Sequence, residues 1–88
     1  FMAALEKGAL ELGFAAADAR RLAVSAFRGA AGLAASEEVP LTELQDRVTS
    51  KGGTTYAALS HMREAGVADA ITQAVHKAEQ RARELSAG

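Results

Sequence analysis

Leu22-Ala23-Val24-Ser25-Ala26-Phe27-Arg28-Gly29-Ala30-Ala31-Gly32-Leu33-Ala34-Ala35-Ser36 is the stretch on which the fold turns. Leu22, Ala26, Phe27, Ala30, Leu33 and Ala34 fall on one face of a helix. The opposite side, with Ala23, Val24, Gly29, Ala31 and Gly32, is also weakly polar. A helix that is apolar nearly all round is one that is buried nearly all round. Gly29 and Gly32 each cost about 1 kcal/mol of helix propensity relative to alanine. That cost is tolerable where the missing side chains let another backbone come close. The spacing therefore predicts a helix from about Ala16 to Ser36, placed at the centre of an association between copies. Asp18 stands near its start, where the helix dipole favours an anion. The stretch is not a bilayer span, because about 18–20 apolar residues are needed and Arg28 interrupts it.

Helix signals continue on both sides. Phe1, Leu5, Ala9 and Leu12 share a face of a first helix, and Gly13 stands where a left-handed C-terminus is expected. Downstream, Pro40 is expected to end the long helix. Thr42-Glu43-Leu44-Gln45 matches a capping box that opens a short helix to about Val48. After a break over residues 49–55, Tyr56, Leu59 and Met62 mark a fourth helix that stops near Gly66. The last runs from Val67 to about Leu85, with Val67, Ile71, Ala74, Val75, Ala78, Ala82 and Leu85 on one stripe. Asp69, Gln73, Lys77, Gln80, Arg81 and Glu84 form its solvent-facing side. β-Branched residues nowhere alternate with polar ones over the length of a strand. The expected fold is all-α, about five helices in a single domain over residues 1–88.

Composition explains why such a domain needs a partner. Apolar residues make up 49% of the chain, but 22 of them are alanines. At roughly 25 cal/mol per Å² buried, alanine contributes little, so the helices pack very closely or borrow core from another chain. Ten basic residues oppose 11 acidic ones, which lacks the basic excess of a nucleic-acid binder. With no cysteine, a disulfide scaffold and a thiolate metal site are excluded. His61 and His76 are 15 residues apart without i, i+4 partners, so no metal is expected. No basic region leads into an apolar run at the N-terminus, so neither a signal peptide nor a membrane anchor is expected. The expected location is the cytoplasm. Phe1 enters an amphipathic pattern at once, and the chain is expected to be a piece of a longer protein.

One loop carries chemistry. In Ser50-Lys51-Gly52-Gly53-Thr54-Thr55, two glycines allow positive φ and close approach of a ligand to the backbone. Two threonines follow at the start of a helix, whose first amides lack internal partners. Ser50 and Lys51 add a hydroxyl and a cation. Such a nest of N–H donors suits a small anion such as a carboxylate. The same residues also read as an ordinary loop in which Thr54 caps the helix. It is not a P-loop, since the glycine spacing and the final Gly-Lys-Ser/Thr are absent. Tyr56 is expected either to line a pocket here or, more in keeping with its residue type, to pack between the last two helices. Arg20, Arg21, Arg81 and Arg83 read as solvated, with one available for an ion pair between copies.

Val48-Thr49-Ser50-Lys51-Gly52-Gly53-Thr54-Thr55, continuing through Ala57-Ala58-Leu59, resembles the signature of pyrroline-5-carboxylate reductases. Gly13-Phe14, Phe27-Arg28-Gly29-Ala30, Glu38-Val39-Pro40, Leu44-Gln45-Asp46 and the closing Ala70-Ile71 and Glu84-Leu85 follow the same pattern. Lys51 departs from it, because many members have proline there. The resemblance implies a dimerisation domain of the 6-phosphogluconate-dehydrogenase C-terminal-like type, forming a homodimer or a higher oligomer of dimers. It implies that residues 50–55 hold the carboxylate of pyrroline-5-carboxylate, that Thr55 contacts the ring nitrogen, and that Glu38 lies near the same site, with Lys51 as an added cation. It also implies that NADPH or NADH is bound by an N-terminal domain absent from these residues, with no metal involved. The alternative is a non-enzymatic helical oligomerisation module, in which the loop is only a cap.

Overall fold

The computed structural model describes residues 1–47, 49 and 52–87, and five helices run through them without a strand. They are α1 Met2–Glu11, α2 Ala16–Ser36, α3 Leu41–Arg47, α4 Thr54–Glu64 and α5 Val67–Ala87. The all-α expectation holds. The chain divides into two compact units, Phe1–Leu44 and Gln45–Gly88, with the boundary inside α3.

In the first unit, α1 folds back on α2. Gly13 makes the reversal possible by taking φ 101°, a left-handed conformation that only glycine adopts cheaply. The Phe14 N–H then donates to the Ala9 carbonyl (3.1 Å) and the Gly13 N–H to the Leu10 carbonyl (3.0 Å). This pair of bonds is a Schellman motif, and it satisfies carbonyls that the end of α1 would otherwise leave open. Ala19 (0% exposed) and Ala23 (4%) are the buried positions of α2. Near the start of α1, the Phe1 and Phe27 rings stack with centroids 6.4 Å apart. The apolar stripe of α1 is not the side it buries. Glu6 and Ala9 are half-buried, while Leu12 is 82% exposed.

The end of α2 and the start of α3 differ from the sequence expectation. Ser36 closes α2 by donating its hydroxyl to the Leu33 carbonyl (3.0 Å), and Glu37 is already extended at φ −128° and ψ 141°. Pro40 therefore does not end α2. It opens α3 instead, its carbonyl accepting the Glu43 N–H (3.0 Å) and the Leu44 N–H (3.2 Å). A proline gives up no needed donor at a helix start, and its fixed φ suits that place. Thr42 consequently lies within the helix rather than at its cap, and the capping box does not set the start.

In the second unit, α4 and α5 pack against each other across a tight elbow. Gly66, at φ 72°, ends one helix and begins the next. Its N–H donates to the Arg63 carbonyl (3.2 Å), while its own carbonyl accepts the Ala70 N–H (3.0 Å). No residue of α4 or α5 is buried.

The expected burial of α2 on all sides is not met within the chain. α2 is 21 residues long and α1 only ten, so at about 1.5 Å per residue α1 can cover at most half of it. Leu22, Phe27 and Leu33 stay exposed. Among the described residues, no helix is long and apolar enough to cross a membrane.

Candidate functional site

The candidate loop is built from both ends. On its α3 side, Thr49 donates its hydroxyl to the Gln45 carbonyl (2.7 Å) and its N–H to the Asp46 carbonyl (3.2 Å). These two bonds tie the loop to the last turn of α3. Ser50 and Lys51 lie outside the described residues, so their expected hydroxyl and cation have no structural description.

On the α4 side, the two glycines do different things. Gly52 takes φ 80°, the left-handed conformation that favours glycine. Gly53 is extended, at φ −87° and ψ −178°, and is the N-cap of α4. Thr54 is thus the first helical residue and not the cap. A glycine cap has no side chain to offer, and no side-chain cap bond forms. The first intrahelical bond of α4 runs from the Ala57 N–H to the Gly53 carbonyl (3.0 Å). The amides of Thr54, Thr55 and Tyr56 precede it and have no hydrogen-bond partner among the described residues. Three such N–H groups at a helix start carry partial positive charge and point out along the axis. Thr54 and Thr55 are exposed and Gly53 is half-buried. Gly52, Gly53, Thr54 and Thr55 are therefore contiguous at one helix end. Glu38 is exposed in the extended link between α2 and α3, in the first unit.

Behind the loop lies a cleft of about 330 Å³, lined by Gln45, Asp46, Thr49, Tyr56, Leu59, Ser60 and Arg63. Tyr56 is in this cleft with residues from the end of α3 and from α4, and none from α5. A neighbouring cleft of about 320 Å³ also takes in Gln45, Leu59 and Arg63, together with Met62, Asp69 and Ile71. Arg63, shared by both, was not singled out by the sequence reading. Nothing in a lone arginine near the end of a helix signals such a position. Among the described residues, no group of three or more His, Asp or Glu could hold a metal ion.

The architecture and its apolar surfaces define an all-helical association domain. The family model described as pyrroline-5-carboxylate reductase dimerisation matches residues 1–85, and the chain belongs to that family. It is 40% identical over 86 residues to a pyrroline-5-carboxylate reductase of Vibrio alginolyticus, covering 97% of this chain and 32% of the relative. A Pseudomonas aeruginosa enzyme of the same name is 39% identical over 85 residues, covering 97% and 31%. One from Lophium arboricola is 40% identical over 81 residues, covering 92% and 25%. The chain thus spans between a quarter and a third of the length of these relatives.

Proposed function

We propose that these 88 residues are the association and substrate-holding domain of a longer cytoplasmic reductase. That enzyme converts 1-pyrroline-5-carboxylate to L-proline with NADPH or NADH, the closing step of proline biosynthesis. The observation that carries this reading is the unpartnered set of amides at Thr54, Thr55 and Tyr56, behind two glycines, in a chain that matches the family along almost its whole length. The amides hold the substrate carboxylate. The Thr55 hydroxyl hydrogen-bonds the ring nitrogen and so fixes the C=N bond for attack. Glu38 and Lys51 are assigned to the rim of the same site.

A nicotinamide cofactor supplies the hydride in this reaction. These residues contain no Gly-x-Gly-x-x-Gly fingerprint and do not fit a dinucleotide, so the cofactor belongs to another part of the longer enzyme. The part left to this chain is position. A reacting carbon held within about 3–3.5 Å of its partner gains most of the available proximity effect, and the carboxylate is the substrate's strongest handle for doing so.

Amide NMR of the chain titrated with L-proline tests the reading directly. The signals of Gly52, Gly53, Thr54 and Thr55 are expected to move together. If they stay fixed while the chain is dimeric, the loop is only a helix start and the oligomerisation-module alternative holds. In the whole enzyme, Thr55→Val keeps the shape and removes the hydroxyl. A lost hydrogen bond of about 1.5–3 kcal/mol to a charged group lowers kcat/KM by roughly 10- to 100-fold. An unchanged kcat/KM removes Thr55 from the site. The 88 residues alone are expected to leave NADPH unoxidised in the presence of substrate.

A further inference from the structure

The accessible surface of the chain is 7308 Å². Two separate compact bodies of about 4.5 kDa each, one per unit, would together expose only about 5,900 Å². At least about 1,400 Å² is therefore surplus even with the units counted separately, or about 2,800 Å² for two chains, within the range of obligate interfaces. The surplus is rich in large apolar groups. Leu12, Leu22, Leu33, Val75 and Leu85 are all 40% exposed or more. Against this, Ala19, Ala23 and Leu44 are the buried apolar residues, and two of the three are alanines.

We propose that this chain has no stable folded monomer and that its helices form together with those of a second copy. The inference rests on the dimer reading and goes beyond it, from association of folded chains to folding by association. The second copy is the occupant that the family's dimerisation role and the size of the surplus both favour. A helical hairpin without a core is marginal in water, because helix stability in proteins comes mainly from packing of the apolar face. α5 illustrates the point, since α4, with 11 residues against 21, can cover only about half of it. The consequence reaches the candidate site. The amides of Thr54, Thr55 and Tyr56 exist as a nest only while α4 is helical, and α4 has no buried residue to hold it in place.

The test is urea unfolding of the 88-residue chain followed by circular dichroism at 1 and 100 µM, with sedimentation at both concentrations. Coupled folding gives one transition. Its midpoint falls by roughly 1 M urea on the hundredfold dilution, since about 2.7 kcal/mol of mass action is divided by a slope of a few kcal/mol per molar. A midpoint independent of concentration overturns the proposal. If sedimentation then gives a dimer, the dimer reading survives and only folding by association fails. If it gives a folded monomer, both fail, and closure of the chain on itself covers the apolar faces. A second phase that does not move with concentration also overturns it, by revealing a unit that folds alone.

Discussion

α2 and α5 are both 21 residues long, and their surfaces are of different kinds. α2 carries charge only at Asp18, Arg20, Arg21 and Arg28, three of the four near its start. It has two buried alanines and leaves apolar residues open on more than one side. α5 has a single apolar stripe and an opposite face laced with exposed ion pairs, Arg81–Glu84 at 3.1 Å and Arg83–Glu79 at 2.8 Å. It has no buried residue. The contrast says how much foreign surface each helix requires. α2 is suited to be enclosed, and α5 to lie on one surface with its charged side in water.

The sharpest way to break that contrast is a charge on the second side of α2. Ala31 is exposed within the chain, and on a solvated helix Ala31→Lys costs only a few tenths of a kcal/mol. If a second copy encloses α2, the same change buries an unpaired cation at a cost of about 3–5 kcal/mol. The expected result is loss of the dimer in sedimentation. Gln73→Lys, on the polar face of α5, is expected to shift stability by no more than about 0.5 kcal/mol. Equal tolerance at the two positions erases the distinction.

Val75 sharpens the α5 half. It is 64% exposed, and lysine is a better helix former than valine by several tenths of a kcal/mol. On a solvent-facing stripe, Val75→Lys raises helix content. On a stripe that meets a second chain, it forfeits the burial of a valine, about 2 kcal/mol, and helix content at fixed concentration falls. The fall is expected, read by circular dichroism.

How far the sequence could be read follows the same division. The bounds of α2 and the turn at Gly13 were legible, because a long apolar period and a glycine after it leave one local solution. The start of α3 was not. Pro40 and Thr42 both signal a helix start, and the proline prevails because it needs no donor there. At the candidate site the glycine pair was legible as positive φ, but only Gly52 adopts it. Gly53 takes the cap ahead of Thr54, a choice that composition leaves open because both residue types are accepted N-caps. The cleft shared by Thr49, Tyr56 and Arg63 depends on how the loop returns, and no local pattern encodes that. Apolar stripes told which faces need cover, and nothing in them told that the chain leaves most of that cover to another molecule.

A smaller test lies in Gly32. A Cβ built there meets nothing within 4 Å, so within the chain Gly32→Ala should gain about 1 kcal/mol of helix stability. If another backbone packs against α2 at this point, the added methyl crowds it and Tm falls instead. The fall is the expected outcome, measured by thermal unfolding at a concentration where the chain is dimeric.

The smallest effect is expected on the charged side of α5. Glu79 and Arg83 form an i, i+4 pair with the acid nearer the N-terminus, the favourable order for a helix. Both side chains are more than half exposed, so solvent screens the pair, and Arg83→Gln should cost about 0.3–0.5 kcal/mol. At about 1 M salt the Debye length shortens to about 3 Å and the cost should vanish. Thermal unfolding at low and high salt reads both numbers. A cost above about 1 kcal/mol that persists in salt means that this face too is covered in the assembly. α5 would then be enclosed as α2 is, and the difference between the two helices would lie only in the chemistry of their covers.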